Sequence, residues 1–276
     1  MYSKVYVEIT NICNMHCSFC HGHSRVPRRM NEQEFFRVLC ELEGKTKYVY
    51  YHLMGEPLTH PDLPRFLELA SKKGFRSILT TNGTLLAKRK EVLLKAPLHK
   101  VSISLHSFED GSEENFMRYL SEVADFAEKA SARGVIVVLR MWNKGYDEGK
   151  NDRIFSFFRQ RIEGEWAENT KGIRIHDKLH MEWGERFAWP DQDAPLGDER
   201  VYCYGLSDHF GILSDGTVVP CCLDSEGTLS LGNVFSEALS DILSGSRARA
   251  IADGFRERYA SEVLCRRCGY ARRFLK

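Results

Sequence analysis

The chain has 276 residues, 43% of them hydrophobic, enough for one large core or one core with a small satellite. Its 39 Lys and Arg nearly balance 38 Asp and Glu, which argues against bulk nucleic-acid binding or attachment to an anionic membrane surface. No apolar run approaches the roughly 20 residues of a membrane span, and residues 1–5 lead straight into a strand-like segment rather than a signal peptide, so a cytoplasmic location is expected.

Short β-branched or aromatic runs predict strands at 4–9, 47–54, 76–81, 100–105, 135–141 and 172–176. Amphipathic segments between them predict helices at 31–42, 61–73, 85–95, 112–133 and 152–162. Gly74 and Gly134 stand where helix C-caps belong, and Pro61 stands near a helix start. Strand–helix alternation of this kind implies a parallel sheet with right-handed crossovers. Six strands are too few to close an eight-stranded barrel, so the expected fold class is α/β, an open, partial (β/α)6 TIM-like barrel over residues 1–184. From 185 the composition changes. Residues 185–198 read as a linker, 210–220 as a hairpin turning at Asp215-Gly216, and 236–243 and 246–259 as helices before a cysteine-bearing tail. A second, small unit over 185–276 is therefore expected.

The strand period of two collects Glu8, His52, Thr80, Ser102, Ser104, Arg140 and His176 on one side of the sheet and mostly Val, Ile and Leu on the other. A packed barrel interior is normally bulky and apolar. A polar one is costly unless it binds something, or unless its groups satisfy one another around buried water.

The nine cysteines are unevenly placed: 13, 17 and 20 together, 40 alone, then 203, 221, 222, 265 and 268. Disulfides are not the default in a reducing compartment, and two groups separated by a cysteine-free body suggest two metal sites. Cys13-x3-Cys17-x2-Cys20 follows the first strand, at the end of the sheet where parallel α/β proteins build their sites. Thiolates select iron–sulfur clusters or zinc. Three ligands leave one metal position open, as a structural zinc site would not.

Cys13-x3-Cys17-x2-Cys20, with Phe19 before the last cysteine, resembles the signature of radical S-adenosylmethionine (SAM) enzymes, and the resemblance extends to about residue 180. It implies a [4Fe–4S] cluster whose open iron chelates SAM, reductive cleavage to a 5′-deoxyadenosyl radical, and hydrogen abstraction from a substrate. It also implies a flavodoxin or ferredoxin-type electron donor. Met54-Gly55-Glu56-Pro57 is similar to the family's Gly-Gly-Glu segment, with Met54 in place of the first Gly, which implies that Glu56 accepts from the SAM ammonium. By the same resemblance Thr80, Asn82, Ser102 and Ser104 contact SAM, and Arg140 pairs with its carboxylate.

Cys203-x17-Cys221 and Cys265-x2-Cys268 form a four-ligand set that resembles the Twitch domain, the short form of SPASM, and implies an auxiliary [4Fe–4S] cluster. Cys40 and Cys222 are left over, and the choice of Cys221 over Cys222 rests on spacing alone. An all-cysteine zinc ribbon is the alternative.

The substrate is less legible. Arg25, Arg28 and Arg29 suit a phosphate, or else form a solvated loop or a docking patch for the electron donor. His52 and His176 offer hydrogen bonds, and aromatic residues near the opening suit a planar base. The small tail leans toward a small-molecule substrate. In length and motifs the chain resembles the queuine-releasing lyases of queuosine salvage, which implies a queuosine-type nucleotide. A peptide-modifying enzyme of the SPASM type and a single-auxiliary-cluster alcohol dehydrogenase remain open.

Overall fold

A computed structural model describes residues 1–109 and 111–274. Its strands are β1 (Lys4–Val7), β2 (Tyr48–Tyr50), β3 (Arg76–Thr81), β4 (Leu98–Ser104), β5 (Ile136–Lys144), β6 (Ala167–Asn169), β7 (Gly172–His176), β8 (Leu179–Glu185), β9 (His209–Ile212), β10 (Thr217–Val219) and β11 (Gly232–Asn233). Its α-helices are α1 (Glu32–Leu42), α2 (Leu63–Lys72), α3 (Leu86–Lys95), α4 (Glu113–Ala132), α5 (Lys150–Arg161), α6 (Leu239–Leu243), α7 (Ser246–Arg256) and α8 (Val263–Arg266). None is long and apolar enough to cross a membrane among the described residues.

The helices form where local chemistry directs them. Asn31 caps α1 in a capping box: its side chain accepts from the Glu34 N–H, and its own N–H donates to the Glu34 carboxylate. Phe35, Val38, Leu39 and Leu42 then repeat at helical spacing and are buried.

One eleven-stranded sheet runs in the order β11-β10-β9-β1-β2-β3-β4-β5-β8-β7-β6, so its ends do not meet and the barrel is open. Six parallel strands, β1 to β5 and β8, form the barrel wall. The sixth of these is not the segment at 172–176 expected from the sequence. That segment, β7, runs antiparallel to β8, because the turn at residues 177–178 reverses the chain before it joins β5. The hairpin β9–β10 lies on the other side, with β9 parallel to β1 in the register Lys4↔His209 to Val7↔Ile212. The strand that leads into Cys13 is thus paired directly with the hairpin that leads into Cys221.

Glu8 fixes that junction. Its carboxylate is fully buried and accepts from both terminal nitrogens of Arg25 (2.8 and 2.7 Å), from the Ser214 N–H and hydroxyl (3.1 and 2.9 Å), and from the Met54 N–H (3.1 Å). Removing one partner of such a buried, hydrogen-bonded pair typically costs about 3–5 kcal/mol.

Candidate active site

The loop 11–25 leaves β1 and crosses the open end of the barrel. The Cys20 N–H donates to the Cys17 carbonyl (3.0 Å), a turn that gathers the thiols of Cys13, Cys17 and Cys20 near one another. Burial, then the neighbouring Glu109 and thiols, pushes Cys17 up to about 12, and burial likewise raises Cys13. The bare Cys17 thiol stays protonated, so a metal that binds it must displace a proton.

Gly55 packs against this loop. Its φ is +75°, and a Cβ would lie 2.3 Å from the Thr10 carbonyl oxygen and 2.8 Å from the Asn11 carbonyl carbon. Only glycine allows that approach, and it lets the next residue's N–H donate to the Ile12 carbonyl at 3.0 Å. Glu56 is buried and accepts from Leu58 N–H (3.0 Å), the Thr81 hydroxyl (2.8 Å) and Asn82 N–H (2.7 Å). The sequence assigns this carboxylate to the SAM ammonium. The structure shows it tying the ends of β2 and β3 together, with most of its acceptor capacity used by its own chain. Burial raises it to about 7, against the lowering effect of those three bonds. Asn82 reaches the cysteine loop directly, its amide donating to the Asn14 side chain at 3.0 Å.

Below the loop lies a cavity of about 520 Å³. It extends from Phe19, between the second and third cysteines of the loop, down the barrel past His52, Thr80, Ser104 and Arg140, to Cys203, Cys221, Cys222 and Cys268. Arg140 is the most demanding group in it. Burial pulls its pKa down, its Nε has no hydrogen-bond partner, and among the described residues it forms no ion pair. Its guanidinium stacks on Trp142 at 3.6 Å. His52 beside it is held near a pKa of about 3 by burial and then by the Arg140 charge, and its Nδ1 also lacks a partner. Orphaned buried groups of this kind are expensive unless a ligand satisfies them.

Four of the tail thiols, Cys203, Cys221, Cys265 and Cys268, line one apolar hollow with Val201, Pro220, Leu229 and Phe255. Burial followed by mutual repulsion raises all but Cys268, which burial alone raises. Cys222 is turned away from that hollow into the large cavity, where it hydrogen-bonds Tyr6. No group of three or more His, Cys, Asp or Glu among the described residues is placed to hold a single metal ion; the thiols surround a hollow instead.

Several expected positions lie elsewhere. Arg25 is committed to Glu8, and Arg28 pairs with Glu34 while donating to the Ser214 carbonyl at 2.8 Å. Arg29 is exposed, and none of the three lines the cavity. His176 follows β7 out of the barrel wall and sits 3.5 Å from the Ser131 hydroxyl on α4. Ser102 is buried but does not reach the cavity. Conversely, the linker carries Arg186, Phe187 and Trp189, which line the cavity. Trp189 donates to the Phe19 carbonyl (3.1 Å) and Arg186 to the Ser18 carbonyl (3.4 Å). The Pro and Asp content of that stretch reads as a spacer, and only the aromatic run 187–189 hinted at contact.

Two cysteine-lined sites at either end of one open α/β barrel define the chain as an iron–sulfur enzyme scaffold. The radical SAM superfamily profile matches residues 7–149, just over half of the sequence, and the chain belongs to that superfamily. An iron–sulfur cluster-binding domain of the SPASM type matches residues 203–269. Together the two imply a SAM-binding [4Fe–4S] cluster, auxiliary iron–sulfur ligation and SAM itself as cofactors. A GTP 3′,8-cyclase of Aquifex aeolicus is 27% identical over 243 residues, 78% of this chain and 75% of that protein. A probable GTP 3′,8-cyclase of Methanocella arvoryzae is 29% identical over 167 residues, and the chain spans about half (53%) of its length. Among solved structures, BtrN in complex with AdoMet and 2-DOIA superposes with a TM-score of 0.64 at 17% identity, covering 97% of this chain and 93% of BtrN. SuiB of Streptococcus suis bound to S-adenosylmethionine superposes at 0.62 with 18% identity, over 91% of this chain and 68% of SuiB. At these identities both establish the shared fold alone.

Proposed function

We propose that Cys13, Cys17 and Cys20 hold the SAM-binding cluster and that Cys203, Cys221, Cys265 and Cys268 hold the auxiliary one. In this reading the cavity between them accepts a small, polar molecule, with a nucleotide as the leading class. One observation carries this: a partly open cavity of about 520 Å³ that runs from Phe19 on the first cysteine loop to Cys203, Cys221 and Cys268 in the tail, lined on the way by Thr80, Ser104 and aromatic rings. When bound, the first cluster and SAM supply a radical able to abstract hydrogen from carbon.

The chain's own residues bind, orient and exclude water. Gly55, Glu56 and Asn82 set the backbone around Asn14, beside the open face of the first site. Thr80 and Ser104 offer hydroxyls from the barrel wall, and Arg140 offers a charge-assisted bond to a carboxylate. His52 stays neutral at any physiological pH and so donates or accepts without repelling Arg140. Phe187, Trp189, Tyr204, Tyr270 and Phe274 line the cavity and present ring faces and edges suited to a flat base. A cavity of this size suits a small molecule.

The nucleotide class also draws support from the relatives that are named GTP 3′,8-cyclases. The narrower queuosine-type reading draws none from them, and it has lost the arginines expected to grip its phosphate. A lyase-type outcome, breaking or rearranging the bonds around the ribose, fits this class. The test is anaerobic incubation of reconstituted protein with reductant and SAM, adding GTP or queuosine 5′-phosphate and measuring 5′-deoxyadenosine. Stimulation by either supports the nucleotide class. Background rates with both, and stimulation by a short peptide, would move the case to the peptide-modifying class.

A further inference from the structure

The carboxylate of Glu109 lies in the segment that follows β4, after the short turn 105–107. Both of its oxygens accept from the Ser18 N–H (3.1 and 3.0 Å), and one accepts from the Ser18 hydroxyl (2.7 Å). Ser18 sits between Cys17 and Cys20. The same segment receives the Cys17 thiol, 3.6 Å from the Ser107 carbonyl. On the opposite side Arg186 and Trp189 donate to the Ser18 and Phe19 carbonyls. Among the described residues no cation forms an ion pair with Glu109.

We propose that Glu109 is a positioning residue for the first cluster: its fixed carboxylate holds the 17–20 turn and keeps that cluster's reduction potential low. Two physical effects act in the same direction. Cluster potentials depend on nearby charge and on hydrogen bonds to the sulfurs. A fixed negative charge beside the cluster disfavours the added electron. A backbone N–H that donates to a carboxylate is also diverted from the cluster sulfurs, where it would stabilise the reduced form. In the one-electron reduction the external donor loses one electron and the cluster gains it. A lower potential makes that step harder and the reduced cluster a stronger reductant toward SAM.

The proposal rests on the ligand assignment above, and the two fail differently. If Cys13, Cys17 and Cys20 are not the ligands, replacing all three with Ala leaves the iron content unchanged. The present proposal instead fails with the cluster in place. The experiment uses protein reconstituted with both clusters, with Glu109→Gln and Glu109→Asp beside wild type. Iron content is measured, and the potential is read by EPR-monitored titration of the signal that changes when SAM is added. Glu109→Gln is expected to keep its iron and to be reduced three- to tenfold more readily, about 28–59 mV by the one-electron relation. The shift should shrink with added salt, because the carboxylate is exposed. Glu109→Asp, which keeps the charge, should keep the wild-type potential. Loss of the first cluster from the Gln variant alone also supports a role for the charge. An unmoved potential in Glu109→Gln overturns the proposal, as does equal loss of the cluster from both variants.

Discussion

Arg140→Gln probes the cavity most directly. The guanidinium is half-buried, its Nε is orphaned, and among the described residues no carboxylate forms an ion pair with it, Glu182 on the paired strand acting on it only through its charge, so replacement breaks no hydrogen-bonded pair within the protein. In the apoprotein the lost stacking on Trp142, worth about 0.5–2 kcal/mol, opposes the relief of a half-buried charge. The unfolding midpoint should therefore move little. In the complex, a charge-assisted hydrogen bond to the SAM carboxylate is lost, typically worth about 1.5–3 kcal/mol. That corresponds to about ten- to 150-fold weaker SAM binding. Anaerobic equilibrium dialysis with SAM and with decarboxylated SAM reads the pairing itself. The variant should lose affinity for SAM and little for the decarboxylated analogue. Equal losses for both ligands would refute the carboxylate pairing. Wild-type affinity for SAM in the variant, with substrate-stimulated turnover lost, would instead place Arg140 on the substrate.

Two [4Fe–4S] clusters imply about eight iron per chain; Cys221→Ala should lose about half of it, whereas Cys222→Ala should keep it, and iron analysis after reconstitution decides between them. Gly55→Ala forces a Cβ to within 2.3 Å of the Thr10 carbonyl oxygen at a φ of +75°. It should cost at least the roughly 1–3 kcal/mol of strained backbone and should loosen the first cluster, seen as preferential loss of its SAM-sensitive EPR signal. His52 has a folded pKa depressed from 6.5 to about 3, so the stability it contributes is present above 6.5 and is lost as pH falls toward 3. Between those values the slope is up to about 1.4 kcal/mol per pH unit. Tyr6 and Tyr50 pack against the ring, and Arg140 supplies the nearby charge. A His52→Phe variant should unfold with a flatter pH profile in denaturant titrations, and an unchanged profile would rule out His52 as its source.

Chemistry that depends on spacing was visible in the sequence. Cys13, Cys17 and Cys20 declare themselves because three thiolates must meet on a short loop, and β-strand and helix periods placed β1 to β5 and α1 to α5 to within a few residues, while β6 and β8 went unread. Gly55 and Glu56 were found as a pair through their likeness to the family's Gly-Gly-Glu segment, and the structure adds that the turn after β2 needs the first and anchors on the second. What failed did so for long-range reasons. Nothing local told Arg25 that its fork would close on Glu8, 17 residues away, while Glu8 also accepts from Ser214 in the hairpin and Arg25 donates to the Ser225 carbonyl beyond it, some 200 residues on. His176 was misplaced because one reversed strand carries it out of the barrel wall, and strand period is blind to direction.

The sequence by itself determined that one group of thiols follows the first strand of a parallel α/β scaffold and that a second lies in its tail, since ligand type, spacing and hydrophobic period are local properties. The tertiary structure alone decided which groups face each other. Pairing β9 with β1 brought the second thiol group beneath the first. It turned Cys222 toward the cavity and Cys221 toward its partners. Packing also left the Nε of Arg140 without a hydrogen-bond partner, because hydrogen bonding inside the barrel is set by contacts between segments that the chain order keeps far apart.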